Sequence, residues 1–151
     1  MGMRVNVIGG GSIDTATAAV AEELGAILAD RGHTVVCGGL SGVMTAVCRG
    51  AKSESGHTIG ILPGDDPDAA NEFVDTPIAT DLTHARNPLV VMNGEAVIAV
   101  DGSSGTLSEL GHALTLAKPV AGIDTHHIDG VDGIEHVETP AEAVEYVEAS
   151  V

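Results

Sequence analysis

Short apolar runs alternate with amphipathic stretches along almost the whole chain. Val5-Asn6-Val7-Ile8 reads as a buried strand, and Gly9-Gly10-Gly11-Ser12 then turns the chain into a helix beginning near Asp14, a suitable N-cap. That helix carries Ala18, Ala21, Leu24, Ile27 and Leu28 at helical spacing and stops before Gly32. His33 to Cys37 is the second strand, followed by Gly38-Gly39-Leu40-Ser41-Gly42 and a helix through Val43, Val47 and Ala51. His57 to Leu62 is the third strand, ended by Pro63-Gly64.

Residues 65 to 80 are acidic and irregular, with a short strand expected near Phe73-Val74. A helix around Arg86 to Asn93 precedes Ala96 to Val100, the most strand-like segment of the chain. Asp101-Gly102-Ser103-Ser104-Gly105 opens a helix from about Thr106 to Ala117, and Pro119 to Ile123 is the next strand. Residues 124 to 133 read as a loop, Ile134 to Val137 as a short edge strand, and Pro140 to Ala149 as a closing helix capped by Thr139. Strand, glycine turn and helix recur with short connections, which predicts an α/β doubly wound parallel sheet with helices on both faces. No internal repeat or linker divides residues 1 to 151, so one domain is expected.

Composition sharpens this picture. The chain is 44% hydrophobic with one Phe, one Tyr and no Trp, so its core is aliphatic. Its 20 glycines exceed the usual share of about 7% and fall at the ends of apolar runs, where they make turns. Twenty-two acidic residues against six basic ones give a formal net charge of −16. That balance fits a salty cytosol, where the Debye length falls to about 3 Å at 1 M salt. It argues against nucleic-acid binding through non-specific phosphate contacts. Two cysteines, Cys37 and Cys48, supply neither a four-ligand zinc site nor a disulfide framework. The first apolar run is too short for a signal peptide and nothing later approaches a membrane span, so a cytoplasmic protein is expected.

In an open α/β sheet the strand-to-helix turns share one edge, beyond the carboxyl ends of the strands. Three such turns are glycine-rich here: 9 to 12, 38 to 42 and 102 to 105. Glycine lets the backbone approach a ligand, and the helix that follows presents unpaired N–H groups and the positive end of its dipole. Together they can hold a phosphate without a lysine; any single turn is better explained as a tight connection, but the three together favour an anion site. None matches the dinucleotide fingerprint or a Walker loop. Arg86, one of four arginines, either forks onto a phosphate or pairs with a surface carboxylate. Glu109, three residues beyond Thr106, points towards the same edge; spacing alone favours a simple interaction with the helix dipole. His84 sits near Arg86 at a helix end, and His126-His127 with Asp124 and Asp129 reads as a solvated loop rather than a metal site. Ser12 and Ser41 lack a histidine and an acid at recognisable spacing.

Gly102-Ser103-Ser104-Gly105-Thr106-Leu107-Ser108-Glu109 resembles the Gly-Gly-x-Gly-Thr-x-x-Glu motif of the Lonely Guy family, whose relatives are often labelled "lysine decarboxylase". Gly38-Gly39-Leu40-Ser41-Gly42-Val43-Met44 is similar to that family's Gly-Gly-x-x-Gly-Leu-Met segment, and Arg86 stands where it places an Arg-Lys pair. The resemblance implies a Rossmann-like fold, a homodimer or higher homo-oligomer, and hydrolysis of the N-glycosidic bond of nucleoside 5′-monophosphates without a required cofactor. It implies that Arg86 and Glu109 are the catalytic pair. It also implies a ligand site made by Gly10, Gly11 and Ser12, by Gly38, Gly39, Ser41, Gly42 and Met44, by Arg86 and Asn87, and by Gly102, Ser103, Ser104, Gly105 and Thr106. This chain has Asp101-Gly102-Ser103 for the usual Pro-Gly-Gly, and Arg86-Asn87 for Arg-Lys. These departures look closer to the branch that includes molybdenum-cofactor carrier proteins, which bind a phosphorylated pterin without cleaving it. A hydrolase, a carrier of molybdenum cofactor or a similar pterin phosphate, and a nucleotide sensor therefore all stay open. Only Lys52 and Lys118 exist, which argues against a decarboxylase.

Overall fold

A computed structural model describes residues 2–151; Met1, the first residue of the expected domain, lies outside the described residues. Seven strands form one parallel sheet: β1 (Arg4–Gly9), β2 (Thr34–Cys37), β3 (Thr58–Leu62), β4 (Thr76–Ala79), β5 (Ala96–Val100), β6 (Val120–Ile123) and β7 (Ile134–Val137). Their order is β4-β3-β2-β1-β5-β6-β7. Among the described residues four α-helices connect strands, α1 (Thr15–Asp30), α2 (Val43–Ser53), α3 (Asn87–Met92) and α4 (Ser104–Thr115), and a fifth, α5 (Pro140–Ser150), follows β7. No helix of the described residues is long and apolar enough to cross a membrane.

Alternation along each strand sends residues to two cores, as expected of a sheet covered on both faces. Val5, Val7, Val35, Cys37, Ile98 and Val100 pack with α1, α2 and α5. Ile8, Val36, Ile61, Val97 and Ala99 pack with α3 and α4. Asn6 also sits fully buried on β1, and its amide nitrogen donates to the Val90 carbonyl in the last turn of α3. Lys118 donates to the carbonyls of Val91, Met92 and Gly94, so two side chains fasten the C-terminal end of this short helix. Lys52 is bound to Asp75 at 2.8 Å. Both lysines therefore serve the fold, away from the glycine turns.

The helix starts follow their caps. Asp14 accepts from Thr17 N at 2.8 Å, and Thr139 accepts from Glu142 N at 3.2 Å ahead of Pro140. Helix α4 begins at Ser104, two residues earlier than expected, because Ser103 N donates to Thr106 Oγ1 and forms half of a capping box. The fourth strand is displaced. Phe73 and Val74 pack against the core as side chains, and the strand forms just beyond them at Thr76–Ala79. The stretch from Thr83 to Arg86 is a 3-10 turn running directly into α3, where Pro88 occupies the first turn.

Candidate functional site

The chain runs from β1 through β2, β3 and β4 on one side, then returns to pair β5 with the other side of β1. That reversal opens a crevice at the carboxyl ends of β1 and β5, the usual ligand position in such sheets. A cavity of about 160 Å³ lies there, walled by residues of all three glycine turns. Gly11, Gly38, Met44, Asn87, Ser103, Gly105 and Thr106 line it together with Arg86 and Glu109. Leu40 and His84 line it as well.

The remaining residues expected at the ligand are used differently. Ser41 Oγ donates to Gly11 O at 2.8 Å, tying the second turn to the first. Gly42 lies against Gly10 and Gly11, and Val43 N donates to Gly10 O at 3.0 Å. Gly39 N donates to the Cys37 thiol, and Gly39 O accepts from Asn71 N, away from the cavity. Gly10, Ser12 and Gly102 do not line it, and Ser104 faces a neighbouring groove. Asp101, with φ +57°, lines a separate small cavity beside Thr17 and Asp124, and its Oδ2 lies 3.4 Å from where a Cβ on Gly10 would stand. His126 Nε2 is 3.0 Å from Ser103 O, while His127 stacks on His136 at 3.8 Å. The two neighbouring histidines thus serve different contacts.

Arg86 is 7% exposed and held from three sides. Its Nε donates to Ile61 O at 2.9 Å, Nη1 to Asn87 Oδ1, and Nη2 more weakly to Gly38 O at 3.4 Å. Gly38 has to be small here, because a Cβ would fall 2.6 Å from Arg86 Nη2. Burial lowers the guanidinium pKa, opposed by the charges of Glu109 and Cys37, but an arginine stays protonated in any case. Its five N–H groups exceed the three bonds it makes, so both terminal nitrogens keep donors for a ligand. Asn87, expected at the ligand, lines the cavity and is also tied to the protein: Oδ1 accepts from Arg86, and one N–H of Nδ2 donates to Ser108 Oγ at 3.2 Å. It links the guanidinium to the first turns of α4.

Glu109 is 8% exposed, and burial pushes its carboxyl up to about 7 against the opposing pull of Arg86. No ion pair within 4.0 Å joins it to Arg86, and no hydrogen bond engages its carboxyl among the described residues. A buried carboxyl without partners is unusual. Here it faces the one buried guanidinium across open space. Of the chain's 22 acidic residues, Glu109 alone lines this cavity.

Burial of Glu109 has a measurable price in stability. In the unfolded chain the carboxyl ionises at about 4.3, so from there up to about 7 the unfolded state releases a proton that the folded state keeps. Stability tied to this group is complete below about pH 4 and is lost as pH rises through 7. Glu109→Gln should therefore stabilise the protein by up to about 3 kcal/mol at pH 8 and change little at pH 4. Denaturant titrations at the two pH values check this; equal effects at both would refute it.

The model of the SLOG cluster4 family matches residues 2–150. An uncharacterized protein of Archaeoglobus fulgidus is 42% identical over 144 residues, 95% of this chain and 93% of its own length. The cytokinin riboside 5′-monophosphate phosphoribohydrolase of Mycobacterium tuberculosis is 34% identical over 122 residues, 74% of this chain; the match spans 65% of that enzyme. The solved structure of the molybdenum cofactor binding protein from the phototrophic bacterium Rippkaea orientalis superposes with a TM-score of 0.93 at 29% identity, covering 99% of this chain and 98% of that one.

Proposed function

The chain belongs to the SLOG cluster4 family, and we propose that it binds a nucleoside 5′-monophosphate by its phosphate and hydrolyses the N-glycosidic bond. The observation that carries this reading is the buried, unpartnered Glu109 carboxyl facing Arg86 across a cavity of glycine turns. The phosphate sits on the N–H groups at the start of α4, with Ser103 N excluded because Thr106 Oγ1 already accepts from it. Arg86 adds donors from its terminal nitrogens.

In the reaction the bond between the sugar C1′ and the base nitrogen breaks, and a water oxygen bonds to C1′. Ionised Glu109 steadies the positive charge that develops on the sugar and takes a proton from the water. The proton that Glu109 takes from the water passes on to the departing base, which returns the carboxylate to its starting state. The products are free base and ribose 5-phosphate. A carboxyl that ionises near 7 is matched to both halves of this proton transfer at neutral pH.

One observation favours a second reading, carriage of a pterin phosphate without cleavage. The match to the Rippkaea orientalis molybdenum cofactor binding protein covers nearly all of both chains, whereas that to the hydrolase stops at 65% of the enzyme. The deciding experiment incubates the protein in high salt with a panel of nucleoside monophosphates and measures free base. Base release supports the hydrolase. A folded protein that releases none yet retains a pterin phosphate tightly is a carrier.

A further inference from the structure

We propose that the heterocyclic end of the ligand lies outside the cavity, in the open groove between α3 and α4, where His84 and His112 recognise it. The inference rests on the phosphate site described above and extends it to the ligand's other end.

Size is the first argument. The cavity, at about 160 Å³, falls short of the roughly 300–1,000 Å³ typical of small-molecule sites. A groove of about 490 Å³ adjoins it and shares His84, Asn87 and Gly105 with it; the two together reach the usual range. A ligand passing from one to the other crosses Gly105, where the nearest atom to an added Cβ would be Asn87 Nδ2 at 3.8 Å. The sugar phosphate thus fits inside, and a planar ring system has room only beyond it.

The side chains give the second argument. Five of the seven histidines are engaged: His33 with Glu148, His57 with Thr76, His126 with Ser103 O, and His127 with His136. The imidazoles of His84 and His112 make no hydrogen bond or stack among the described residues, and both line this groove. The floor carries no charge, and two of its side chains are tied down, since Asn87 Nδ2 donates to Ser108 Oγ and Ser108 Oγ donates to Gly105 O at 2.7 Å. None of the 22 acidic residues lines it. Two free imidazoles over a neutral floor offer aromatic faces together with both donor and acceptor nitrogens. That chemistry suits a planar nitrogen heterocycle, as found in a nucleobase or a pterin, where stacking on an aromatic side chain combines with edge hydrogen bonds.

Calorimetry in the Glu109→Gln background tests this with ribose 5-phosphate, AMP and neopterin monophosphate. The two heterocyclic phosphates distinguish a nucleobase from a pterin, and at least one should bind tenfold or more tightly than ribose 5-phosphate. His112→Ala and, separately, Ala85→Trp, which fills the groove from an exposed position, should remove most of that advantage. Affinity for ribose 5-phosphate should stay within about twofold. An unchanged advantage in both variants, or an equal fall for ribose 5-phosphate, would overturn the groove assignment. Failure of ribose 5-phosphate and of both heterocyclic phosphates to bind the parent protein would overturn the phosphate site itself.

Discussion

Glu109→Gln should slow release of free base from a nucleoside 5′-monophosphate by roughly 10²–10⁴-fold, the usual range for losing a positioned general acid–base group. That corresponds to about 3–5 kcal/mol of transition-state stabilisation. Glutamine keeps the shape of the side chain but neither accepts the water proton nor opposes the positive charge on the sugar. Because Glu109 makes no protein hydrogen bond, its replacement leaves the Arg86 network with Ile61, Asn87 and Gly38 in place. Phosphate affinity should therefore change by less than about threefold, measured calorimetrically, and the loss should fall on kcat. The pH profile supplies a second check. In the parent protein kcat/KM should rise with pH along a limb centred near 7, following ionisation of the free carboxyl. In the variant that limb should vanish. The expected gain in stability at pH 8 separates lost chemistry from lost folding. A variant with near-parental turnover would remove Glu109 from the mechanism.

Much of this fold was legible in the sequence because its parts are local. Asp14 and Thr139 announce helix starts by residue type, and the glycine turns follow directly from apolar runs. The parallel sheet follows from repeated strand, turn and helix. The features that escaped depend on chain segments far apart in sequence. Glu109 in the first turns of a helix suggests only a favourable dipole; its raised pKa arises because elements from β1 to α4 close over it. Asn87 looks like a ligand residue beside Arg86 and does line the cavity, but the bond from its amide nitrogen to Ser108, 21 residues away, has no signal in the local sequence. Leu40 carries no chemical signal at all, and reaches the cavity by packing alone. Phe73 and Val74 have the residue types of a strand, yet burial of their side chains won over pairing and moved the strand to Thr76.

The turns themselves make the second large prediction. Gly42 caps α2 with φ +66° and ψ −126°, a conformation that side chains rarely adopt. A Cβ there would lie 2.2 Å from Gly10 O and 2.6 Å from the Gly11 carbonyl carbon. Both obstacles are backbone, so no rotamer change relieves them, and the first two turns would have to separate. Separation strains the bonds that join them, Val43 N to Gly10 O and Ser41 Oγ to Gly11 O. Strain of about 1–3 kcal/mol in the backbone adds to an overpacking cost of about 1–3 kcal/mol, so Gly42→Ala should destabilise the protein by about 3 kcal/mol or more. Against a typical stability of about 5–15 kcal/mol this is a large share, visible as a lower urea midpoint. Phosphate affinity should fall as well, because Gly11 and Gly38 line the cavity from the two turns that move apart. Gly111→Ala is the matching control: it lies within α4 with nothing within 4 Å of the added carbon, and should stabilise by about 0.5–1 kcal/mol. Should Gly42→Ala instead match the parent within about 0.5 kcal/mol, the contact between the first two turns does not hold the site together.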